Sequence, residues 1–448
     1  MKASRYNFFI EEETGEILAY NALTGAFACI DRELYELFLK ACTDLDIAGQ
    51  YHIDAENEMK LPEKLRCFYD GGFFIEDGTD EFNILKNRQY QRRFMQNYLL
   101  TMTIAPTMDC NFDCIYCYED KNRVKKYMDR HTADYIIKYI DGYFTNGGIL
   151  NIAWFGGEPT LAPDIMYYIS DAVKDIAAQK RIDYTSRIVT NGYLLDKKTA
   201  LVLCDRGIRD ACITIDGCSG AHNERRYLKN REGTFNTIIE NIRCICDIMN
   251  VNIVFNTDKD NITEYEGLLD IFEDCGVAGK IKIGIVMTEA YRYSCDTVKR
   301  RALSTREFSE VYRKLAKLTV KRNFKMDLFP PANRSACSAV VGNNLVVGPG
   351  GELHKCLNTL GRDSEIYGNI CSVDEQNSRM TMWMEYSPVE NDKCRSCRIA
   401  PICMGGCSRN ALIEEAAPVN TEGCCMQFKY NLEPLLKLKY LQHNLLKG

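Results

Sequence analysis

Three cysteines lie close together near residue 110, in the stretch CNFDCIYCYED: Cys110, Cys114 and Cys117. A structural zinc ion and a fully ligated iron-sulfur cluster each take four ligands from the protein. Three thiolates can hold a cluster of four irons while one iron keeps an open position. Such an iron can bind the amine and carboxylate of a small molecule, as an open zinc site accepts its substrate. The spacing therefore predicts a cluster gripped by one loop, with zinc or accidental packing as the alternatives.

A second set of motifs offers groups that suit a small polar ligand. In WFGGEPT, Gly156 and Gly157 allow the backbone to approach a ligand closely, and Glu158 offers a carboxylate to an ammonium group. In VTNGY, Thr190 and Asn191 supply a hydroxyl and an amide for a ribose or a carboxylate. The stretch TIDGCSGAHNERR, residues 214–226, likewise places polar groups at the end of an apolar run. A plain turn is the alternative for each of these motifs.

The last quarter of the chain is also rich in cysteine. Besides the isolated Cys371, its cysteines and one spaced glycine are Cys337, Gly351, Cys356, Cys394, Cys397, Cys403, Cys407, Cys424 and Cys425. The whole chain has 22 cysteines, and a reducing cytosol does not favour a disulfide framework, so metal binding or redox chemistry is the leading explanation. A zinc ribbon is the alternative for the C-x2-C pair.

Six apolar runs alternate with helical patterns and would position the first two sets of motifs. They are LTMTI (100–104), LNIAWF (150–155), SRIVT (186–190), ACITI (211–215), VNIVFNT (251–257) and KIGIV (282–286). Repeated strand-helix units predict a parallel sheet, and right-handed crossovers would curl six of them into a partial barrel. Ligand chemistry in such barrels belongs at the carboxyl ends of the strands, where the motifs lie.

The regions on either side of the barrel have different textures. Residues 6–30 read as short strands, and helical patterns follow in DRELYELFLKAC and in the stretch 61–78, which predicts a small winged-helix-like domain. A charged helix then links to the barrel. After about residue 323 turn residues dominate until a final helix, NLEPLLKLKYLQHNLL, and a region so poor in core builders needs its cysteines as staples.

Composition excludes several functional classes. A net charge of -6 gives no global field for a polyanion, so nucleic acid is not an expected partner. No apolar run is long enough to span a bilayer, and the first residues are too acidic for a signal peptide. We therefore expect a cytoplasmic protein that does not bind membranes.

The CxxxCxxC triad, the GGEP motif and the spaced strand ends resemble those of the radical S-adenosylmethionine (SAM) superfamily. The resemblance implies that Cys110, Cys114 and Cys117 ligate a [4Fe-4S] cluster whose open iron binds SAM. In that family, reductive cleavage of SAM gives a 5'-deoxyadenosyl radical that abstracts a substrate hydrogen. It also implies that Gly156, Gly157 and Glu158 meet the methionine amine, with Thr190 and Asn191 near the ribose.

The C-terminal cysteines resemble a SPASM domain, a module with seven cysteines that carries two auxiliary [4Fe-4S] clusters. The resemblance implies that Cys394, Cys397 and Cys403 share one cluster with Cys424 or Cys425, with Cys424 favoured because it follows a glycine. Cys337, Cys356 and Cys407 would hold the other. Its fourth ligand stays open, since Cys295 and Cys371 are distant in sequence, and a vacancy would let a substrate thiolate bind iron. Three clusters are expected in total.

The N-terminal region resembles the peptide-recognition domain that precedes SPASM-type maturases of ribosomally made peptides. The expected fold is α/β, with a winged-helix-like domain and linker helix at 1–98, a partial (β/α)6 barrel at 99–322, and a cysteine-rich iron-sulfur domain with a closing helix at 323–448. The expected partners are a precursor peptide, bound through its leader, and an electron donor such as flavodoxin or ferredoxin.

The function that these resemblances imply is crosslinking of a precursor peptide, with a cysteine sulfur joined to a carbon of another residue. Carbon-carbon crosslinking and anaerobic sulfatase maturation, which forms formylglycine, are the alternative reactions. An electron carrier or cluster scaffold is the alternative that is not an enzyme. The sequence names no general acid or base, because Asp216, Glu119 and the tyrosines are better explained as structural or cofactor-side residues.

Overall fold

The computed structural model describes residues 1–43, 63–117, 125–292, 294–328, 337–372, 378–413, 417–423 and 425–445. Glu119 and Cys424, both considered above, lie outside these ranges. No helix in the described ranges is both long enough and apolar enough to cross a membrane.

The N-terminal region contains a three-stranded antiparallel sheet and two helices. Its elements are β1 (Lys2–Ala3), β2 (Asn7–Glu11), β3 (Ile17–Asn21), β4 (Phe27–Ile30), α1 (Arg32–Thr43), α2 (Glu63–Asp70) and β5 (Phe74–Ile75). The sheet order is β2-β3-β4, and β1 pairs separately with β5. The predicted short strands are confirmed, whereas the winged-helix arrangement stays a prediction.

Both faces of the three-stranded sheet take part in packing, since successive side chains of a strand point to opposite faces. Phe9 and Ala19 pack against Phe38 of α1 and Phe68 of α2 in a small local core. Phe8, on the opposite face, belongs to the main core of the molecule. The sheet therefore joins the N-terminal helices to the rest of the chain.

Six parallel strands form the centre of the molecule, as the alternating pattern predicts. The elements are α3 (Glu81–Phe94), β6 (Leu99–Ile104), α4 (Arg130–Tyr143), β7 (Ile149–Trp154), α5 (Pro163–Lys180), β8 (Asp183–Thr190), α6 (Lys197–Asp205), β9 (Ile208–Thr214), α7 (Ser219–Arg225), α8 (Phe235–Ile245), β10 (Asn250–Thr257), α9 (Glu264–Asp274), β11 (Lys282–Met287), α10 (Asp296–Arg301) and α11 (Thr305–Lys321). The strands lie in sequence order from β6 to β11, and each neighbouring pair is parallel. Their carboxyl ends therefore meet at one edge.

The C-terminal region extends this sheet instead of forming a separate layer. Its elements are β12 (Asn344–Val347), β13 (Glu352–His354), β14 (Gly368–Asn369), α12 (Ser378–Glu385), α13 (Asp392–Arg395), α14 (Ala400–Cys403), α15 (Ser408–Leu412) and α16 (Phe428–Leu445). β12 pairs in parallel with β6, and β13 and β14 follow as antiparallel strands, so the sheet has nine strands. The sheet thus crosses the predicted boundary at residue 322.

The closing helix α16 fastens the N-terminal sheet to the body of the protein. The Lys437 ammonium donates a hydrogen bond to the Glu11 carbonyl at 2.7 Å. The Lys439 ammonium lies 5.6 Å from the centre of the Phe27 ring. Because both contacts join the two ends of the chain, α16 fixes the N-terminal sheet relative to the barrel.

Candidate active site

The predicted cysteine triad lies in the loop that follows β6, at the carboxyl edge of the sheet. Cys110 is buried, and Cys114 and Cys117 are half-buried. All three line a cavity of about 460 Å³. Burial is the main cause that raises the pKa of the Cys114 thiol to about 12, with further contributions from Cys117 and Cys110. The structure therefore brings the three sulfur atoms of the triad together at one cavity.

The GGEP motif forms the next wall of this cavity, after β7. Gly156 has a φ of +106°, a conformation that favours glycine. A Cβ atom on Gly156 would overlap the carbonyl oxygen of Thr107, and one on Gly157 would overlap that of Asp109. The two glycines line the cavity, but their immediate structural role is to let this turn pack against the loop that carries the cysteines.

Glu158 is buried beneath the cavity wall and binds the residues at the end of β8. Its side chain is fully buried, and its carboxylate accepts hydrogen bonds from the Thr190 hydroxyl and the Asn191 amide N–H, both at 2.7 Å. The Thr160 hydroxyl donates to the same carboxylate at 2.6 Å. Burial raises the pKa of Glu158, while these donors act in the opposite direction. The carboxylate thus ties the ends of β7 and β8 together, and its contact with an ammonium group stays a prediction.

Thr190 and Asn191 line the cavity, at the place where the motif predicts a ligand-binding strand end. The Asn191 side-chain amide donates to the Asn111 side-chain oxygen at 2.7 Å, one residue after Cys110. The same amide lies 3.9 Å from the Cys110 sulfur. Asn191 therefore helps to position the cysteine loop as well as the cavity wall.

A buried polar network that the motifs did not predict lies beside the cysteine loop. The Tyr116 hydroxyl donates to the Asp216 carboxylate at 2.6 Å and accepts from Arg226 at 2.8 Å. Tyr116 and Arg226 line the cavity, together with Asn256 at the end of β10. Asp216 and Arg226 belong to the stretch 214–226 that the sequence analysis singled out, but no motif indicated that they would contact Tyr116.

The C-terminal cysteines form two groups in space. The first group, which we call the inner auxiliary group, contains Cys337, Cys356 and Cys407. Burial is the main cause that raises the pKa of Cys356 to about 12, and Cys337 and Cys407 add to the effect. Arg409 acts in the opposite direction. Cys295 caps α10, and Cys371 lines a surface groove with Tyr135. The fourth ligand of the cluster proposed at this group therefore stays open.

The second group, which we call the outer auxiliary group, contains Cys394, Cys397 and Cys403. Burial is the main cause that raises the pKa of Cys403 to about 12, and Cys394, Cys397 and Cys425 all contribute. The structure therefore places Cys425 with this group. The predicted ligand Cys424 lies outside the described residues, so the choice between the two stays a prediction.

The donor chemistry of all three groups fits iron-sulfur clusters. Each contains thiols that are close enough to act on one another's pKa. Within the described ranges, no three cysteine, histidine or acidic side chains are arranged to hold one metal ion. Ligands of a cluster of four irons lie further apart than those of a single zinc ion, because each thiolate binds a different iron.

One charged pair connects the main cavity with the inner auxiliary group. Glu289, after β11, is the one carboxylate among the described residues that line the cavity, and it also lines a second cavity of about 250 Å³ that contains Cys407. The Arg409 guanidinium donates to both oxygens of Glu289 at 3.0 Å, and to the Tyr291 hydroxyl at 3.0 Å. Because Arg409 is two residues from Cys407, this pair links the two sites.

The chain is similar in sequence to a known superfamily and to characterised enzymes. The model of the Radical SAM superfamily matches residues 104–271. The chain is 21% identical over 333 residues to a serine-type anaerobic sulfatase-maturating enzyme of Klebsiella aerogenes. The aligned residues cover 69% of this chain and 79% of that enzyme. It is also 23% identical over 340 residues to a PqqA peptide cyclase of Gluconobacter oxydans. The aligned residues cover 72% of this chain and 90% of the cyclase.

Two solved structures share the fold. The chain resembles anSMEcpe with bound AdoMet and Cp18Cys peptide, with a TM-score of 0.62 and 16% identity over 78% of this chain and 99% of that one. It also resembles SuiB of Streptococcus suis bound to the precursor peptide SuiA, with a TM-score of 0.54 and 15% identity. The second match covers 95% of this chain and all of that one.

Proposed function

We propose that the protein is a maturase that crosslinks a peptide through a cysteine sulfur. The premise is that residues 104–271 of this chain are a radical SAM domain. The observation that carries the proposal is the continuity of the site. One cavity is lined by Cys110, Cys114 and Cys117 and also by Glu289, which reaches the second cavity beside Cys407. A peptide in the first cavity would thus lie between two groups of cysteines.

The residues of the main cavity would hold the cofactors. Cys110, Cys114 and Cys117 would ligate the first [4Fe-4S] cluster, and the inner and outer auxiliary groups would ligate two more. Arg226 lines the cavity, and its Nε has no hydrogen-bond partner among the described residues, which suits the carboxylate of SAM. When bound, SAM and the first cluster supply a 5'-deoxyadenosyl radical for hydrogen abstraction, and the auxiliary clusters supply an electron acceptor. An external donor, such as flavodoxin or ferredoxin, would deliver the reducing electron.

Glu289 would take up the proton in the crosslinking step. Forming a carbon-sulfur bond from a thiol and a carbon radical releases one proton and one electron. Glu289 is the carboxylate that faces the cavity, and Arg409 holds it in place through two hydrogen bonds. We therefore assign Glu289 as the acceptor of the thiol proton, because it is positioned at the substrate cavity and oriented by a buried partner.

The N-terminal sheet would bind the leader of the peptide along β4. The opposite edge, β2, is covered, since Arg398 donates to the Asn7 carbonyl and Lys437 to the Glu11 carbonyl. Backbone hydrogen-bonding groups alternate in direction along an antiparallel strand, so the N–H and C=O groups of Phe27 and Cys29 point away from β3. These groups have no hydrogen-bond partner in the described part of the chain. An extended peptide can therefore add to β4 as a further strand.

Substitution of one edge residue tests this leader site. Proline at position 29 removes an outward N–H but is tolerated at a sheet edge, so Cys29→Pro should weaken leader binding about tenfold, the worth of roughly one hydrogen bond. Cys29→Ser, which keeps the N–H, should bind like the wild-type protein. Fluorescence anisotropy with a labelled leader peptide measures both. Equal affinity of the two variants would contradict pairing along β4.

The reaction is tested with anaerobically reconstituted protein, SAM, a strong reductant and a synthetic peptide from a small cysteine-containing reading frame beside this gene. We expect 5'-deoxyadenosine and a peptide that has lost two hydrogen atoms and its free thiol, as measured by mass spectrometry after alkylation. Loss of two hydrogens with the thiol retained would indicate carbon-carbon crosslinking instead. Absence of 5'-deoxyadenosine would overturn the proposal.

Sulfatase maturation is the second candidate function. It is favoured by the similarity over 333 residues to a sulfatase-maturating enzyme and by the shared fold with anSMEcpe. That structural match leaves about a fifth of this chain uncovered, whereas the SuiB match covers 95% of it. A sulfatase-derived peptide assayed under the same conditions separates the two functions, because formylglycine reacts with hydrazide probes and a thioether does not.

A further inference from the structure

We propose that Tyr6, from the N-terminal region, donates a hydrogen bond to sulfur at the outer auxiliary group and so raises the reduction potential of the cluster that this group would hold. Tyr6 precedes β2 and would act as a positioning residue that touches neither SAM nor peptide. The inference rests on the proposed function only in that it requires a cluster at Cys394, Cys397 and Cys403.

The chain on either side of Tyr6 is docked against the chain on either side of Cys397. The Arg5 guanidinium donates to the Arg395 carbonyl at 2.6 Å. In the reverse direction, Arg398 donates to the Asn7 carbonyl, and its guanidinium lies 4.3 Å from the centre of the Phe8 ring. Since these contacts flank Tyr6 on one segment and Cys397 on the other, they hold the two residues in the same interface.

The Tyr6 hydroxyl is a buried donor in need of an acceptor. The side chain is 0% exposed, and its hydroxyl has no hydrogen-bond partner among the described residues. Burial is the main cause that raises the pKa of Tyr6, and Cys397 is near enough to contribute to the shift. A buried, unpaired hydroxyl costs free energy unless an acceptor is present. A thiolate or sulfide sulfur at the outer group would provide that acceptor.

Such a hydrogen bond changes the electronics of a cluster in a known direction. Reduction adds negative charge to the sulfur atoms, and a donor stabilises that charge more in the reduced state than in the oxidised state. The cluster at the outer group is therefore easier to reduce with Tyr6 in place. Tyr6 would make the N-terminal region part of the environment of an electron-transfer site.

The test is an EPR-monitored redox titration of the reconstituted full-length protein and its Tyr6→Phe variant. We expect the reduction equilibrium constant of one cluster to fall about tenfold, the worth of one hydrogen bond, which is about 59 mV for one electron. The shifted signal should be absent from a Cys394→Ala/Cys397→Ala/Cys403→Ala variant. Tyr20→Phe is the matched control: Tyr20 is a similarly buried tyrosine of the N-terminal region, on the neighbouring strand β3, and the variant should leave all potentials unchanged.

Resonance Raman spectra of the wild-type protein give a second readout that needs no stable variant. An O–H donor to cluster sulfur should shift Fe–S stretching bands between H2O and D2O, and Tyr6→Phe should remove part of that shift. Unchanged potentials in Tyr6→Phe, or no solvent-isotope shift in the wild type, would overturn the inference. If instead no iron binds the outer group, or SAM is not cleaved, the proposed function fails first.

Discussion

The first cysteine triad and the two auxiliary groups differ in how the chain positions them. Cys110, Cys114 and Cys117 follow a central strand and are held by a network that includes Asn191 and Tyr116. The outer auxiliary cysteines lie on two helices of four residues and on the turn between them. In the inner auxiliary group, Cys337, Cys356 and Cys407 each directly precede a helix of three to five residues. Hydrogen-bonded structure therefore pre-forms the first site, whereas the second region would depend more on the clusters proposed there for its stability.

The largest expected effect comes from removing the first triad. A Cys110→Ala/Cys114→Ala/Cys117→Ala variant should lose 5'-deoxyadenosine formation by at least a thousandfold, because it cannot hold the cluster that SAM binds. Its melting temperature by circular dichroism should stay near that of the wild type, since the surrounding network remains. A large fall in melting temperature would break the proposed difference between the two regions.

Removing the outer auxiliary group should have the opposite pattern. In Cys394→Ala/Cys397→Ala/Cys403→Ala, loss of the metal staple should lower the melting temperature more than the first triad variant does. Limited proteolysis should then cut first within residues 378–445. The Cys67→Ala variant is a matched control, because Cys67 is an exposed cysteine outside both regions. Equal stability of the two triple variants would remove the distinction.

Glu289 lies at the junction of the two regions, and its substitution separates their roles. Glu289→Gln keeps the shape of the side chain but removes a proton acceptor, so crosslinked product should form about a hundredfold more slowly. Formation of 5'-deoxyadenosine should fall much less, since Glu289 is on the auxiliary side of the cavity. Rates of the two products, measured in one assay, check this. A proportional loss of both would assign Glu289 to SAM binding instead.

The smallest expected effect concerns the support of the first site. In Glu158→Gln the new amide would face the donors of Thr190 and Asn191, and one unsatisfied buried group costs about 1–3 kcal/mol. The Kd for SAM should therefore rise about tenfold to a hundredfold, as measured by calorimetry on the reconstituted protein. Thr185 lies on β8, as Thr190 does, and donates an exposed hydrogen bond to Asn151 of β7. The control variant Thr185→Val removes this bond and should leave the Kd unchanged.

The sequence predicted those parts of the fold in which local pattern and tertiary packing agree. The six barrel strands, the N-terminal sheet and the closing helix are found where their apolar periodicity places them. The strand β12 was not predicted, because four residues within a glycine-rich stretch carry too little periodicity. β12 pairs with β6, more than two hundred residues away in sequence. Local sequence pattern carries no information about a pairing over such a separation.

The site shows the same division. Motif spacing predicted that the cysteine triad, Gly156 and Asn191 would meet at one edge, and they line one cavity. The pair of Glu289 and Arg409 could not be predicted, since these residues are 120 positions apart. The role of Gly156 also differs from the simple expectation, because the close approach it permits is to another loop of the protein.

The continuous nine-stranded sheet has a consequence for damage by oxygen. β12 shares a ladder with β6, the strand that leads into the first cysteine loop, so the C-terminal hairpin and that loop are connected through one hydrogen-bonded sheet. We therefore expect oxidative loss of the inner auxiliary cluster, whose proposed ligand Cys356 follows β13, to weaken SAM binding in molecules whose first cluster is intact. Inactivation in air should accordingly follow the most oxygen-sensitive of the clusters.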